Sequence, residues 1–318
     1  MLLFFQTKNV FMNYQNTQLT DTYKRITDFV IEQLEHGEVI WRKGWNELGL
    51  PQNIVSGNQY KGWNSFLLNF ITMHKGFKTP YFITYKQAMS AGGTIRRGQK
   101  GFTIIYWATV ENKSKIIEVD GEEEFLTYRL PKGHTVFNID QTQGITYPKI
   151  EKQLRSHTEK IYACEKLIDA MPKKPTVMHG RDEPYYNKIT DCISIPPVEQ
   201  FCSDEQYYAT LFHELAHSTG HTTRLNRSEL MQADGFGKEQ YSKEELTAEL
   251  AAAFLCAVSG IEQQTINNSA AYIKSWLKVL RNDKKLILKA ATQAQAATGF
   301  ILNKSFEPRQ ESTASLTI

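Results

Sequence analysis

His213 and His217 stand four residues apart, with Glu214 beside the first, in the run His213-Glu214-Leu215-Ala216-His217. On a helix that spacing is about one turn, so both imidazoles lie on one face and can grip one cation. The chemistry this allows is metal-assisted hydrolysis. Zinc lowers the pKa of a bound water to about 7, and a neighbouring carboxylate can take its proton. Glu214 stands where that catalytic base must be. At this chain's own His and Glu frequencies, a chance match is on the order of one per cent. Zn2+ is the expected metal, with Mn2+ or Co2+ as alternatives.

A site of this kind needs a third protein ligand and one position left open. His221 follows His217 by four residues, but beyond Gly220, where the helix should end. The run from Glu244 to Phe254 offers a better donor. Glu245 and Glu249 share a helical face with Ala252, Ala253 and Cys256, and small residues there let a second helix come close. Glu245 is expected as the ligand, with Glu249 supporting a ligand histidine. The reverse assignment and His221 are the alternatives, and Glu244 reads as surface. Asp191–Pro196 reads as a strand at the sheet edge, able to pair with an extended peptide.

These groups need rigid elements under them. Ser203 or Asp204 is a good N-cap, Glu205 a favourable first-turn charge and Gly220 a good end for the metal helix. From Ser203 onward the pattern is helical over 204–219, 242–259 and 267–302. Before it, 151–171 reads as a helix, and 176–178 and 192–195 as short strands. The first 145 residues read as α+β. They contain helices over 20–36, 64–74 and 85–91, strands over 81–84, 102–108, 125–130 and 135–138, and a charged hairpin tip over 111–124. The fold class is therefore α+β. An N-terminal α+β domain (20–145) is followed by a mostly helical metallopeptidase domain (151–304), between a flexible extension (1–19) and a disordered tail (305–318).

Composition narrows the class further. With 318 residues, 41% hydrophobic and 22% charged, the chain reads as soluble and globular, in two domains. It has no apolar run of 18 residues, so no membrane span is expected. The four cysteines show no CxxC pairing and read as reduced thiols of a cytoplasmic protein.

The net charge is only +3, but it is unevenly spread. Between Arg42 and Lys100 there are nine Lys or Arg and one acid, Glu47. Aromatic residues interleave with them. Lysine and arginine neutralise phosphates while exposed rings stack on unpaired bases, so the window suits single-stranded DNA better than duplex. Arg42, Lys43, Tyr60, Lys61, Trp63, Lys86, Arg96, Arg97 and Lys100 are the candidate contacts. The last three sit in a turn flanked by Gly93, Gly98 and Gly101.

Taken together, Tyr60-Lys61-Gly62-Trp63-Asn64, Thr84–Ala88, Gly98–Gly101, Val136–Asn138, Asp191–Pro196, Tyr207–Thr210, His213–His221 and Glu244–Cys256 resemble the ArdC-like antirestriction proteins of conjugative plasmids. The similarity spans residues 20–302. It implies an N-terminal single-stranded DNA-binding domain and a C-terminal zincin-like metallopeptidase domain. It also implies a role in shielding incoming DNA from host restriction, with a host restriction component as a conceivable peptide substrate. Two alternatives are carried. One is a non-enzymatic DNA-binding protein with a structural metal. The other is an accessory module of a plasmid replication or primase system.

Overall fold

In the computed structural model of the chain, the described residues are 23–41, 48–119, 122–148, 155–180, 183–231, 239–261 and 269–304. The expected N-terminal extension and C-terminal tail lie outside them. Residues 23–35 form helix α1, which buries Ile26, Val30, Ile31 and Leu34. It stops where Gly37 takes a φ of +77° and donates its N–H to the Leu34 carbonyl, the left-handed turn that glycine allows. There follow β1 (Gln52–Asn53), α2 (Trp63–His74), β2 (Tyr81–Thr84) and α3 (Tyr85–Ser90). Thr84 and Gln87 cap α3 reciprocally, which fixes the turn from strand to helix. Next come β3 (Thr94–Ile95), β4 (Phe102–Val119), β5 (Glu122–Asn138) and β6 (Thr142–Gln143). A four-stranded sheet has the order β1-β2-β5-β4, parallel between β1 and β2 and antiparallel elsewhere, and β3 pairs with β6.

The expected hairpin over 111–124 is present, and most of it is ladder. β4 and β5 stay paired from Phe102 opposite Val136 out to Val119 opposite Glu122, with one irregularity between Asn112 and Ile116. Pro131 sits within the ribbon, opposite Trp107. Charged composition marks a segment that does not need burial. It does not forbid backbone pairing, which is what holds a two-stranded ribbon.

The remaining elements are α4 (His157–Ala170), β7 (Thr176–His179), β8 (Tyr185–Asn187), β9 (Cys192–Ile195), α5 (Asp204–Ser218), α6 (Ser228–Met231), α7 (Glu239–Ser259), α8 (Ser269–Asn282) and α9 (Leu286–Ile301). The three-stranded sheet has the order β7-β9-β8, parallel and then antiparallel. So the strand expected at the sheet edge, β9, is central, and its Ile193 and Ile195 are fully buried. An edge facing outward would leave those two isoleucines in water. The edges are β7 and β8. Leu215 and Ala216 of α5, and Ala248, Ala251 and Ala252 of α7, are all buried. Small residues of this kind let two helix backbones approach closely enough for a shared site.

The chain divides into two compact units, Met1–Leu154 with Asn268–Ala291 and Arg155–Asn267 with Thr292–Ile318. The single helix expected over 267–302 is broken at Asp283. Its N–H closes onto the Val279 carbonyl and its carboxylate accepts the Lys285 N–H at 2.8 Å, ending α8 and capping α9. α8 belongs to the first unit, where Trp276 packs edge-on against Trp41 at 5.3 Å and Arg281 pairs with Glu35. This differs from the expected boundary, which placed 268–291 in the second domain. Among the described residues, no helix is long and apolar enough to cross a membrane.

Cys164 and Cys256 lie in the core of the second unit, and burial pushes the Cys164 thiol up to about 11. Cys202 is exposed. Brief treatment with iodoacetamide at pH 8 is therefore expected to label Cys202 and spare Cys164 and Cys256, as read by peptide mass spectrometry. Labelling of Cys164 in the native protein would contradict this packing.

Candidate metal centre

Ser203 caps α5 by accepting the Gln206 N–H at 3.2 Å, and Asp204 and Glu205 place negative charge in its first turn. Near the far end of this helix, His213 Nε2 and His217 Nε2 are 3.1 Å apart. Glu245 reaches across from α7. Its Oε1 is 3.2 Å from His217 Nε2 and its Oε2 3.4 Å from His213 Nε2. One ligand atom from each of the three residues falls within a sphere where all lie within 4.8 Å of one another, and no other such group occurs among the described residues. Two imidazole nitrogens and a carboxylate oxygen form the donor set of a hydrolytic divalent metal with one position open. The residues present fit such a metal.

The carboxylate against the other nitrogen of His217 is Glu244, which the sequence pattern assigned to the surface. It is 2% exposed, and its Oε1 is 3.2 Å from His217 Nδ1. Adjacent positions on a helix point about 100° apart, so Glu245 meets one nitrogen edge of the His217 ring and Glu244 meets the other. Arg227 closes the arrangement, its Nε and Nη2 each donating to one oxygen of Glu244. Glu249, expected in that supporting role, lies one turn further along α7 and is not in the converging group. Its charge acts on the Cys256 thiol. His221, beyond the end of α5, turns Nδ1 to the Thr223 hydroxyl at 2.9 Å. Gly220 matters for space rather than for backbone freedom. A Cβ there would come within 2.8 Å of Leu230 and 3.0 Å of the Arg227 guanidinium.

Electrostatics follow from this packing. Burial opposes a charged His217, but Glu245 and Glu244 override it and hold the ring well above its ordinary pKa. His213 is raised in the same way, chiefly by its contact with Glu245. Burial works to raise Glu245 and Glu244. The two imidazoles hold Glu245 below the usual carboxylate range, and Arg227 with His217 does the same for Glu244. Glu214 goes the other way. It is 6% exposed, and desolvation raises its pKa despite the nearby imidazoles. The backbone N–H of Tyr186 on β8 works against that rise. Tyr186 in turn donates to Asp191 at 2.8 Å, and Arg224 grips both Asp191 oxygens at 2.8 Å while donating to the Ser218 carbonyl. This chain of contacts ties the edge strand to the end of the metal helix.

The basic residues of the first unit are placed differently from one another. Arg96, Arg97 and Lys100 are exposed. Their turn is held by the Arg96 N–H on the Gln141 carbonyl, by the Gln141 side chain on the Lys100 carbonyl at 2.9 Å, and by Gly98 at φ +83°. Lys61 and Lys86 are exposed as well, and Tyr85 beside Lys86 is 58% exposed, an aromatic surface not singled out from the sequence. Tyr60 is half-buried edge-on against Phe82. Trp63, expected to stack on bases, is 4% exposed at the start of α2. The same helix buries Phe66, Leu67, Leu68, Phe70 and Ile71, and Trp63 is part of that core. Arg42 and Lys43 lie outside the described residues.

A mixed sheet, a helix presenting paired histidines and a glutamate from a second helix define the second unit as a zincin-like metallopeptidase domain, and residues 162–293 match the family model of that description. Residues 20–137 match the N-terminal domain of anti-restriction factor ArdC. The chain belongs to the ArdC-like antirestriction proteins. It is 35% identical to the metal-free crystal structure of antirestriction ArdC protein from the R388 plasmid, with a TM-score of 0.70 over 88% of this chain and 96% of that one. The Mn(II)-bound structure of that protein matches at 34% identity and a TM-score of 0.72, over 90% and 99%. The chain is also 36% identical over 306 residues to DNA primase TraC of Escherichia coli, covering 91% of this chain but only 27% of the primase.

Proposed function

We propose that this antirestriction protein hydrolyses peptide bonds at a divalent metal held by His213, His217 and Glu245, with Glu214 as the general base, and binds single-stranded DNA through its first unit. The convergence of the three ligand atoms beside a buried, proton-accepting Glu214 carries the peptidase part. A bound divalent metal supplies Lewis acidity, polarising a carbonyl and making water easier to deprotonate. Glu214 takes the proton from the attacking water and passes it to the leaving amine. The Tyr186 N–H of edge strand β8 acts on the Glu214 carboxylate, and an extended peptide can pair along that strand.

The native metal is zinc or manganese, the latter supported by the Mn(II)-bound relative. The test is incubation of the chelator-stripped protein with a proteome-derived peptide library, read by mass spectrometry. Cleavage that appears only on adding Zn2+ or Mn2+ is expected. No cleavage with either metal, on a chain that demonstrably binds it, would leave a structural metal and a non-enzymatic protein.

The DNA-binding part rests on the exposed turn bearing Arg96, Arg97 and Lys100, with Lys61, Tyr85 and Lys86 as further contacts. Each phosphate contact to a single strand contributes about 0.7 to the slope of log affinity against log salt. The variant R96E/R97E/K100E is therefore expected to lower the slope by about 2 and weaken binding at least about tenfold at low salt. Fluorescence anisotropy on a labelled oligonucleotide measures both. Unchanged affinity and slope would move the interface elsewhere. In the cell, binding of this kind shields incoming cytoplasmic single strands from restriction. The likeness to TraC supports a second reading, a module serving a primase, which predicts that the purified chain alters priming by such an enzyme.

A further inference from the structure

Arg227 stands in the stretch between α5 and α6, ten residues after His217 and seventeen before Glu244. It is nonetheless 5% exposed, and its guanidinium donates to Glu244, to the Thr219 hydroxyl and to the last carbonyls of α5. Nε donates to Glu244 Oε2 at 3.0 Å and Nη2 to Glu244 Oε1. Nη2 also donates to the Ala216 carbonyl at 2.7 Å, and Nη1 to the Thr219 hydroxyl. One cation thus does two things. It covers the C-terminal carbonyls of the helix that carries both histidines, where positive charge is favoured. It also fixes Glu244 with a two-pronged grip that lysine cannot reproduce. Glu244 meets His217 at Nδ1, so a carboxylate held in place makes Nδ1 the protonated nitrogen and turns Nε2 toward His213 and Glu245. Gly220 gives the guanidinium its passage over the helix end.

From these contacts we infer that Arg227 is a positioning residue for the metal, acting through Glu244 on His217, so that the fold of the segment after α5 and metal occupancy are coupled. This rests on the reading of His213, His217 and Glu245 as metal ligands. It differs from a generic supporting carboxylate in assigning control to a residue that touches no ligand side chain.

The experiment titrates chelator-stripped full-length protein with Zn2+ against a chromophoric chelator, for the native chain, Arg227→Met, Arg227→Lys, Glu244→Gln and the double variant R227M/E244Q. Loss of a group orienting a metal ligand typically costs 10–100-fold in metal affinity. Arg227→Met is expected to fall in that range and Arg227→Lys to recover part of the loss. The double variant is expected to be no weaker than the worse single one, because the two residues act as one unit. Spectra of the Co2+-loaded proteins supply a second readout. A shifted visible band in Arg227→Met is expected, since the ligand ring is no longer held. Arg227→Lys, which keeps a buried cation on Glu244, preserves the test should Arg227→Met fail to fold. Lower melting temperatures with native Zn2+ affinity and an unchanged Co2+ spectrum would make Arg227 merely structural and overturn the inference. Failure of the native chain to bind metal would instead overturn the underlying site.

Discussion

Glu214→Gln is expected to reduce peptide cleavage by at least about 10²–10⁴, the usual span for loss of a general base, and to leave metal binding nearly unchanged. The substitution keeps the shape of the side chain, and its amide oxygen remains an acceptor facing the Tyr186 N–H. It cannot accept a proton from water. It also removes none of the three converging donors, so Zn2+ affinity should stay within a few-fold of native. Burial already disfavours the charged form of Glu214, so a neutral isostere is not expected to lower the melting temperature. Cleavage at the native rate would remove Glu214 from the mechanism. The same variant separates peptidase from protection. If it fails to cleave yet still protects transferred DNA from restriction in a mating assay, then antirestriction runs through DNA binding, and the metal centre serves something else.

The parts of the site legible in the sequence are those fixed by local geometry. A four-residue spacing on a capped helix brings His213 and His217 together whatever surrounds them. Glu245 could be read because alanines on its face announce a close helix contact. Glu244 could not. It stands in an acidic pair that resembles a solvated surface, and its burial depends on Arg227, seventeen positions away in an irregular segment. A buried ion pair leaves no periodic trace, since neither partner interrupts a hydrophobic stripe. The same limit explains the sheet. Alternation marks 192–195 as a strand, but whether it lies at an edge depends on which segments pair on either side. Trp63 failed for the converse reason. It follows Tyr60 and Lys61 within a basic, aromatic-rich window, yet only packing decides which rings face solvent. The extension of the β4–β5 ladder into the hairpin tip and the break at Asp283 were missed because backbone pairing and a single side-chain cap can outweigh composition.

His213→Ala is expected to cost on the order of 10²–10³ in Zn2+ affinity, taking an apparent binding free energy of about 10–16 kcal/mol shared among four ligand positions. Glu214 remains in this variant, so lost cleavage would be traceable to the metal. The pH dependence sharpens the test. In the metal-free protein His217 is held above its ordinary pKa by Glu245 and Glu244 in spite of burial. The stability this gives is fully present below the unfolded value of about 6.5 and is lost as pH rises through the folded value. Glu245 is held below its ordinary pKa, so its contribution is present above about 4.3 and is lost only as pH falls through the folded value. Between those limits the metal-free centre is held by a proton that a cation must displace. Zn2+ affinity in the native chain should therefore rise from pH 6 to pH 8. The melting-temperature gap between loaded and stripped protein should widen over the same interval, because the stripped form loses its ion pair while the loaded form does not. In His213→Ala the gap should be small throughout, since the cation has lost one of its donors. A variant that kept native affinity, or a gap that narrowed as pH rose, would mean that these residues are a buried ion-pair network and not a metal centre.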